Sequence, residues 1–240
     1  MTDQASDVLP RLQARIAGFL YLIIIVAGAV GYTTHSSLIV WNDAASTASN
    51  ILASAQLWRL SSLVMLIMLA SDVGVAAIFY LLFKPVNRTL SLVGCAFRLI
   101  LVAVIAVAIL FRYLALYLSN DTASTAIGIN QSQALVILSV RLFEQGFTVA
   151  LVFFGFHCLA IGWLILRSSF LPRFLGVLLL ISGVLYLCDS TRVLVFPMVA
   201  LPFDILIPSY ISEIVLCLWL IVVGVNAGKW KEQAGAADSY

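Results

Sequence analysis

Residues 57–118 read LWRLSSLVMLIMLASDVGVAAIFYLLFKPVNRTLSLVGCAFRLILVAVIAVAILFRYLALYL, two long apolar runs joined by KPVNR at positions 84–88. Each run exceeds the roughly 20 residues that an α-helix needs to cross the hydrocarbon core of a membrane. Proline, asparagine and two basic residues in the connection favour a short turn rather than a continuous helix. The stretch therefore predicts two antiparallel transmembrane helices.

The composition of the whole chain agrees with that stretch. Of 240 residues, 63% are hydrophobic and 10% are charged, whereas soluble domains average about 25% charged residues. The apolar runs occupy most of the length and leave no segment long enough for a soluble catalytic domain. We therefore predict a single all-α transmembrane domain over residues 1–240.

The remaining apolar runs complete a polytopic bundle. The first follows Arg11 and Arg15, as a signal peptide would, but it is long enough to remain as a membrane anchor. In the loop after it, Asp43 is placed to cap a short helix. The predicted architecture is a bundle of six transmembrane helices, at about residues 16–32, 57–83, 90–118, 143–166, 174–196 and 205–226.

Positive residues are distributed unevenly along this bundle. The loops at 33–56, 119–133 and 197–204 contain no Lys or Arg, whereas eight of the thirteen basic residues flank the other span ends: Arg11, Arg15, Lys84, Arg88, Arg167, Arg173, Lys229 and Lys231. By the positive-inside rule both termini are predicted to be cytoplasmic, in a bacterial inner (plasma) membrane. A net charge of +2 does not indicate a nucleic-acid partner.

Ionisable residues inside spans are costly and are functional candidates by default. Asp72, Arg98 and His157 each lie ten to twelve residues from a basic anchor, which places them about 15–18 Å from the inner side. Asp72 and Arg98 belong to the two helices joined by KPVNR and are expected to form an ion pair. These three residues are predicted to form an inner polar layer.

A second set of charges is predicted to lie farther out. Asp189 and Glu213 are each sixteen residues from a basic anchor, about 24 Å, and Arg192 lies about 28 Å out. Asp189 and Arg192, three residues apart on one helix, can pair locally. Glu213 would then either share Arg192 or remain protonated in a medium of low dielectric constant.

The remaining polar residues are interpreted as structural. Arg59, Arg112, Arg141 and Glu144 lie near span ends, where they are expected mainly to reach the interface. Haem is disfavoured because His157 is the histidine expected inside the bundle, with His35 on the outer loop. The four cysteines lie in apolar runs without metal-ligand spacing, so we predict neither a metal nor another cofactor.

Several functions remain open at this point. The buried charges can fix helix register, or they can line a cavity that binds or translocates a small polar or lipid-like ligand, with membrane lipid as the expected partner. A non-catalytic accessory or scaffold subunit bound to another membrane protein is the main alternative. An intramembrane hydrolase ranks third and would use a serine near the acids: Ser71, Ser182, Ser190 or Ser212. No catalytic residue is assigned.

Short motifs resemble a known family along nearly the whole chain. They are RIAG at 15–18, DAA at 43–45, NILAS at 50–54, KPVNR at 84–88, FR at 97–98, FFGFH at 153–157, LPRFLGVL at 171–178, YLCDS at 186–190 and EIVLCLWL at 213–220. This pattern resembles the bacterial membrane-protein family catalogued as domain of unknown function 4386. The resemblance implies six transmembrane helices and polar positions at Asp72, Arg98, His157, Asp189 and Glu213. It implies no reaction.

The predicted orientation can be tested by cysteine-accessibility labelling in intact cells. Cysteine probes beside Thr2 and beside Tyr240 should be protected from a membrane-impermeant reagent, because both termini are predicted to be cytoplasmic. Probes at Ser46 and Thr125, in the outer loops, should react. External labelling of either terminus would overturn the six-span topology.

Overall fold

A computed structural model of the chain describes residues 2–120, 125, 127–199 and 204–237. Parts of two predicted outer loops, at 121–124, 126 and 200–203, and the probe site at Tyr240 lie outside the described residues. The helices are α1 (Thr2–Leu38), α2 (Ala44–Ala53), α3 (Ala55–Phe83), α4 (Arg88–Leu118), α5 (Ile129–Arg167), α6 (Arg173–Val195), α7 (Ile207–Val222) and α8 (Ala227–Ala237).

The six long helices form a closed ring in chain order. Helix α1 packs against α3, and each helix from α3 to α6 packs against the helix that follows it in the chain. Helix α7 packs against α1 and closes the ring. We call the end that carries Lys84, Arg88, Arg167 and Arg173 the basic end, and the opposite end the far end. Side chains on the inner faces of all six helices therefore meet near one axis.

The predicted all-α membrane fold is confirmed. Within the described residues, five helices are each long and apolar enough to cross a membrane. Helix α7 meets the same criterion only together with α8, to which it is joined by a bend of 98°. Helices α3 and α4 begin and end within a few residues of the predicted spans. Asn87 caps α4 by accepting a hydrogen bond from the Leu90 amide at 2.8 Å, which explains the sharp turn at KPVNR.

Two helices are longer than their predicted spans. Helix α1 continues to Leu38 rather than ending near residue 32. Helix α5 runs from Ile129 to Arg167, about 58 Å, and so begins fourteen residues before its predicted span. Because a bilayer with its headgroups is about 40–45 Å thick, α5 reaches the headgroup region at the far end.

The bend after α7 has a clear local cause. Gly224 adopts a φ of 73°, a left-handed conformation that favours glycine and commonly ends helices. Asn226 then caps α8 through its side-chain oxygen, which accepts from the Lys229 amide at 3.1 Å. The indole of Trp230 donates to the Leu82 carbonyl at 2.9 Å, so α8 lies across the basic end of the ring.

The short helix α2 closes the far end. Asp43 caps it as predicted, because its carboxylate accepts from both the amide and the hydroxyl of Ser46, at 2.9 and 2.6 Å. These hydrogen bonds hold the pKa of Asp43 below its ordinary value. Helix α2 packs on α4 and α5 and fixes the connection that follows α1.

Glycines bring α5 and α6 into close contact. A Cβ atom on Gly162 would lie 2.9 Å from the carbonyl oxygen of Gly176, and one on Gly183 would lie 2.8 Å from that of Gly155. Small residues allow backbones to approach in this way when lipid provides no hydrophobic drive between helices. We call this contact, formed by Gly155, Gly162, Gly176 and Gly183, the glycine seam. It fixes α6, and with it Tyr186, against α5.

We therefore expect Gly162→Ala and Gly183→Ala each to destabilise the protein in detergent. Overpacking costs about 1–3 kcal/mol and should outweigh the gain in helix propensity of about 1 kcal/mol. Gly28→Ala is a matched control, since its Cβ would meet Met68 Sδ at an ordinary 3.6 Å. Equal thermal unfolding temperatures for Gly162→Ala and Gly28→Ala would contradict the close approach of α5 and α6 at the glycine seam.

Candidate functional site

Arg98 is fully buried inside the ring, on α4. Its Nη2 atom lies 2.6 Å from Asp72 Oδ1 on α3, and its Nε donates to the same oxygen at 2.8 Å. Asp72 is 3% exposed, so both charges are removed from solvent and from lipid. The predicted ion pair between α3 and α4 is confirmed.

His157 on α5 joins this pair, as the shared depth predicted. Its Nε2 lies 3.1 Å from Arg98 Nη1 and its Nδ1 lies 2.8 Å from the Gly94 carbonyl oxygen. An arginine can only donate and a carbonyl can only accept, so the hydrogen-bond network assigns the proton to Nδ1. His157 is therefore a neutral imidazole that bridges Arg98 to the backbone of α4.

Two tyrosines outside the predicted polar layers complete the surroundings of Arg98. The ring centroid of Tyr21 on α1 lies 5.0 Å from Arg98 Cζ, within cation–π distance. The Phe154 ring centroid lies 5.6 Å from Arg98 Cζ and 5.1 Å from the ring centroid of Tyr186, and so joins the two residues. The hydroxyl of Tyr186 on α6 donates to Glu213 Oε1 on α7 at 2.5 Å. A tyrosine well inside a span, away from the interfacial belt, is the sequence signal for both.

These contacts unite one polar side chain from every helix of the ring. We call the set the Arg98 cluster: Tyr21, Asp72, Arg98, His157, Tyr186 and Glu213. Five of its members are at most 3% exposed, whereas Glu213 is half-buried. The cluster is therefore tightly packed, and Glu213 on α7 is its least buried member.

The placement of Glu213 corrects the predicted outer layer. Its depth was counted from Lys229 along a straight helix, but α7 ends at Val222 and the chain then turns by 98°. Nine residues separate Glu213 from Val222, which places it about 14 Å from the basic end, level with Arg98. Glu213 accordingly pairs with Tyr186 and not with Arg192.

Asp189 and Arg192 form the local pair that their spacing predicted. Arg192 Nη2 and Nε lie 2.6 and 3.0 Å from Asp189 Oδ1, and Nη1 donates to the Val199 carbonyl at 3.1 Å. The side chain of Arg192 is 28% exposed and that of Asp189 is 18% exposed. This pair lies toward the far end of α6 and is separate from the Arg98 cluster.

A second buried arginine overturns an interpretation from the sequence. Arg112 was expected to reach the interface, but it is fully buried. Its Nε and Nη2 donate to Ser62 Oγ at 3.0 Å and Ser61 Oγ at 2.7 Å. The Trp58 ring centroid lies 4.0 Å from Arg112 Cζ, and the Trp58 indole donates to the Arg112 carbonyl. Of the four residues so interpreted, Arg59 and Arg141 are exposed as expected.

His35 is the second correction, since it lies inside the bundle rather than on the outer loop. Helix α1 carries it to Arg112, whose Nη1 donates to His35 Nδ1 at 2.9 Å. The imidazole proton is therefore on Nε2, which faces Glu144 Oε1 at 3.4 Å. We call His35, Trp58, Ser61, Ser62 and Arg112 the Arg112 cluster.

The spacing of the two clusters is a signal that the sequence carries. Fourteen residues separate Tyr21 from His35 on α1, and fourteen separate Arg98 from Arg112 on α4. Fourteen residues are close to four helical turns, so each pair shares a face at a separation of about 21 Å. Buried apolar side chains occupy the layer between the clusters: Met65, Met68, Leu101, Ile105 and Ala108.

The serines considered for hydrolysis are mainly engaged with the backbone. Ser71, Ser182 and Ser212 each donate to the carbonyl four residues earlier, at 2.8–3.0 Å. Ser190 is buried, and its hydroxyl has no partner among the described residues. Within the described part of the chain, no three His, Cys, Asp or Glu side chains are grouped to hold a metal ion. We therefore assign none of these four serines as a nucleophile.

Comparisons with known proteins identify the family without a reaction. The family model described as Domain of unknown function (DUF4386) matches residues 16–224. An uncharacterised protein of Archaeoglobus fulgidus is 26% identical over 153 residues, which are 64% of this chain and 76% of that protein. No solved structure matches the chain.

The buried ion pair makes a direct stability prediction. Asp72→Ala or Arg98→Ala leaves one uncompensated buried charge, at an expected cost of about 3–5 kcal/mol, and the double variant should recover part of that loss. Asp189→Ala, in a partly exposed pair, is the control and should cost about 0–1 kcal/mol. Thermal unfolding in detergent measures all four variants. A double variant as unstable as the sum of the single ones would show that the residues are not coupled.

Proposed function

Because the chain belongs to this family, whose description names no reaction, we propose a function from the Arg98 cluster itself: the protein binds or translocates a small polar or lipid-like ligand through the ring. The carboxylate of Glu213, level with Arg98 and without a basic partner among the described residues, is the observation that carries the proposal. Sites for substrates and coupling ions in membrane transporters commonly lie near this depth.

The charge balance of the Arg98 cluster favours a ligand. Asp72 and Arg98 compensate each other, and His157 is neutral. Among the described residues no basic side chain forms a salt bridge with Glu213, whose hydrogen-bond donor is Tyr186. A charged carboxylate without a cationic partner is costly in a low-dielectric medium. Either a proton or the cationic group of a ligand therefore balances Glu213.

The chemistry around Glu213 favours an amine or another small cation. Aromatic rings line this part of the interior. The ring centroids of Phe154 and Tyr186 are 5.1 Å apart, and Arg98 Cζ lies 5.6 Å from the Phe154 ring centroid. Such rings attract a desolvated cation through their π faces, as they do for Arg98. A carboxylate beside these rings is complementary to an organic ammonium group.

Translocation along the ring axis requires the apolar layer between the two clusters to open. The Arg98 cluster lies near the middle of the helices and the Arg112 cluster lies about 21 Å toward the far end, with an apolar layer between them. Polar groups within spans commonly mark ion and substrate pathways. With the basic end facing the cytoplasm, both termini are cytoplasmic and the Arg112 cluster faces outward, across a bacterial plasma membrane.

A stabilisation assay tests the ligand class. Butylammonium should raise the thermal unfolding temperature of the purified protein by several degrees more than butanol at equal concentration. The reason is that butylammonium supplies a positive charge to pair with the Glu213 carboxylate, whereas butanol does not. Glu213→Gln should lose this difference, whereas Glu232→Gln, on the exposed face of α8, should retain it.

Infrared spectroscopy tests the proton-carrying alternative on the same variants. A protonated-carboxyl band in the wild type that disappears in Glu213→Gln shows that a proton balances this acid. If butylammonium has no specific effect and Glu213→Gln removes no such band, the Arg98 cluster is structural. A scaffold or accessory subunit would then be the better function.

A further inference from the structure

An open groove of about 500 Å³ lies at the far end, beside the connection between α1 and α2. Its lining residues are Trp41, Leu138, Arg141, Leu142, Glu144 and Gln145. This volume is within the range of small-ligand sites, about 300–1,000 Å³. The groove shares no residue with the Arg98 cluster, so an inference from it does not depend on the function proposed for that cluster.

The depth of the groove matches the headgroup region of one leaflet. Along α5, Glu144 and Arg141 lie 23 and 26 residues from Arg167 at the basic end, about 35 and 39 Å. The hydrocarbon core is about 30 Å thick, and the bilayer with its headgroups about 40–45 Å. A tryptophan such as Trp41, 42% exposed, is typical of this interface.

The groove presents a positive and a negative group that are not paired with each other. Arg141 Cζ lies 5.8 Å from the Trp41 ring centroid, whereas Glu144 Oε1 is directed toward His35. No salt bridge of Arg141 occurs among the described residues. The side chain of Glu144 is 43% exposed, so its carboxylate remains accessible from the groove.

His35 provides a second, independent observation. Its Nε2 atom is buried and has no hydrogen-bond partner among the described residues, and the nearest acidic oxygen is Glu144 Oε1 at 3.4 Å. The whole residue is 4% exposed. The buried Nε2–H of His35 thus points toward Glu144 Oε1 from inside the bundle. Because the Glu144 side chain is partly exposed, its carboxylate can also accept a hydrogen bond from a donor in the groove.

We propose that this groove binds the headgroup of a phospholipid that carries a primary ammonium group, as phosphatidylethanolamine does. The phosphate lies against Arg141, whose guanidinium can donate two parallel hydrogen bonds to it. The ammonium donates to Glu144. From Leu142 the acyl chains run inward along the exposed side chains of Val149 and Phe156, which follow at seven-residue intervals on α5. Bound in this way, the lipid links the membrane surface to Arg112 through Glu144 and His35.

Native mass spectrometry of the full-length protein can test this binding. The detergent-solubilised protein is mixed with equal amounts of phosphatidylethanolamine, phosphatidylcholine and phosphatidylglycerol. Phosphatidylethanolamine should be retained at least about tenfold better than phosphatidylcholine, because its ammonium N–H groups supply a charge-assisted hydrogen bond. Phosphatidylglycerol, which has no ammonium group, should also be retained less well.

Two variants separate the roles of the charged residues. Glu144→Gln should remove the preference for phosphatidylethanolamine over phosphatidylcholine, whereas Arg141→Gln should lower the retention of all three phospholipids by about tenfold. Arg59→Gln is the matched control, because Arg59 is exposed near the start of α3 but does not line the groove. Unchanged thermal unfolding of the three variants establishes that each is folded.

Three results would overturn the proposal. One is equal retention of the three phospholipids by the wild type. Another is a loss in Arg59→Gln as large as the loss in Arg141→Gln. The third is complete displacement of the lipid by an equal concentration of soluble O-phosphoethanolamine, which would identify a soluble zwitterion as the occupant. Each result concerns Arg141 and Glu144 and leaves the butylammonium effect at Glu213 unchanged.

Discussion

The structure depends on keeping the Arg98 guanidinium in a place where neither water nor lipid can solvate it. An isolated charge at this depth costs several kcal/mol, so the surrounding helices must supply its partners. Asp72 supplies the opposite charge, His157 accepts a hydrogen bond, and Tyr21 offers its ring. Because these groups come from α3, α5 and α1, compensation of one charge fixes the relative positions of four helices.

Helices α6 and α7 reach the same point through Glu213. The carboxylate on α7 accepts from Tyr186 on α6, and α7 packs against α1, which closes the ring. The glycine seam fixes α6 against α5, which limits where the Tyr186 hydroxyl can lie. The same interactions that close the bundle leave Glu213 half-buried and without a basic partner in the described structure. Architecture and the proposed binding site are thus one arrangement.

Several features were predictable from the sequence for physical reasons. Apolar length predicted the membrane helices, and the short KPVNR turn predicted that Asp72 and Arg98 meet on neighbouring antiparallel helices. Glu213 was misplaced because its depth was counted through Gly224 and Asn226, although a glycine followed by a capping asparagine indicates the end of one helix and the start of another. His35 and Arg112 were missed because α1 continues to Leu38 and because a long side chain near a span end can turn inward as well as outward.

The central claim is that side chains from all six ring helices meet in one cluster, with Glu213 beside Tyr186 rather than beside Arg192. Solid-state NMR of the protein in lipid bilayers, with glutamate, tyrosine and arginine labelled with ¹³C, measures these proximities directly. A through-space correlation from the Glu213 carboxyl carbon to Tyr186 Cζ, without one to Arg192 Cζ, is the predicted result. A correlation to Arg192 in the absence of one to Tyr186 would contradict it.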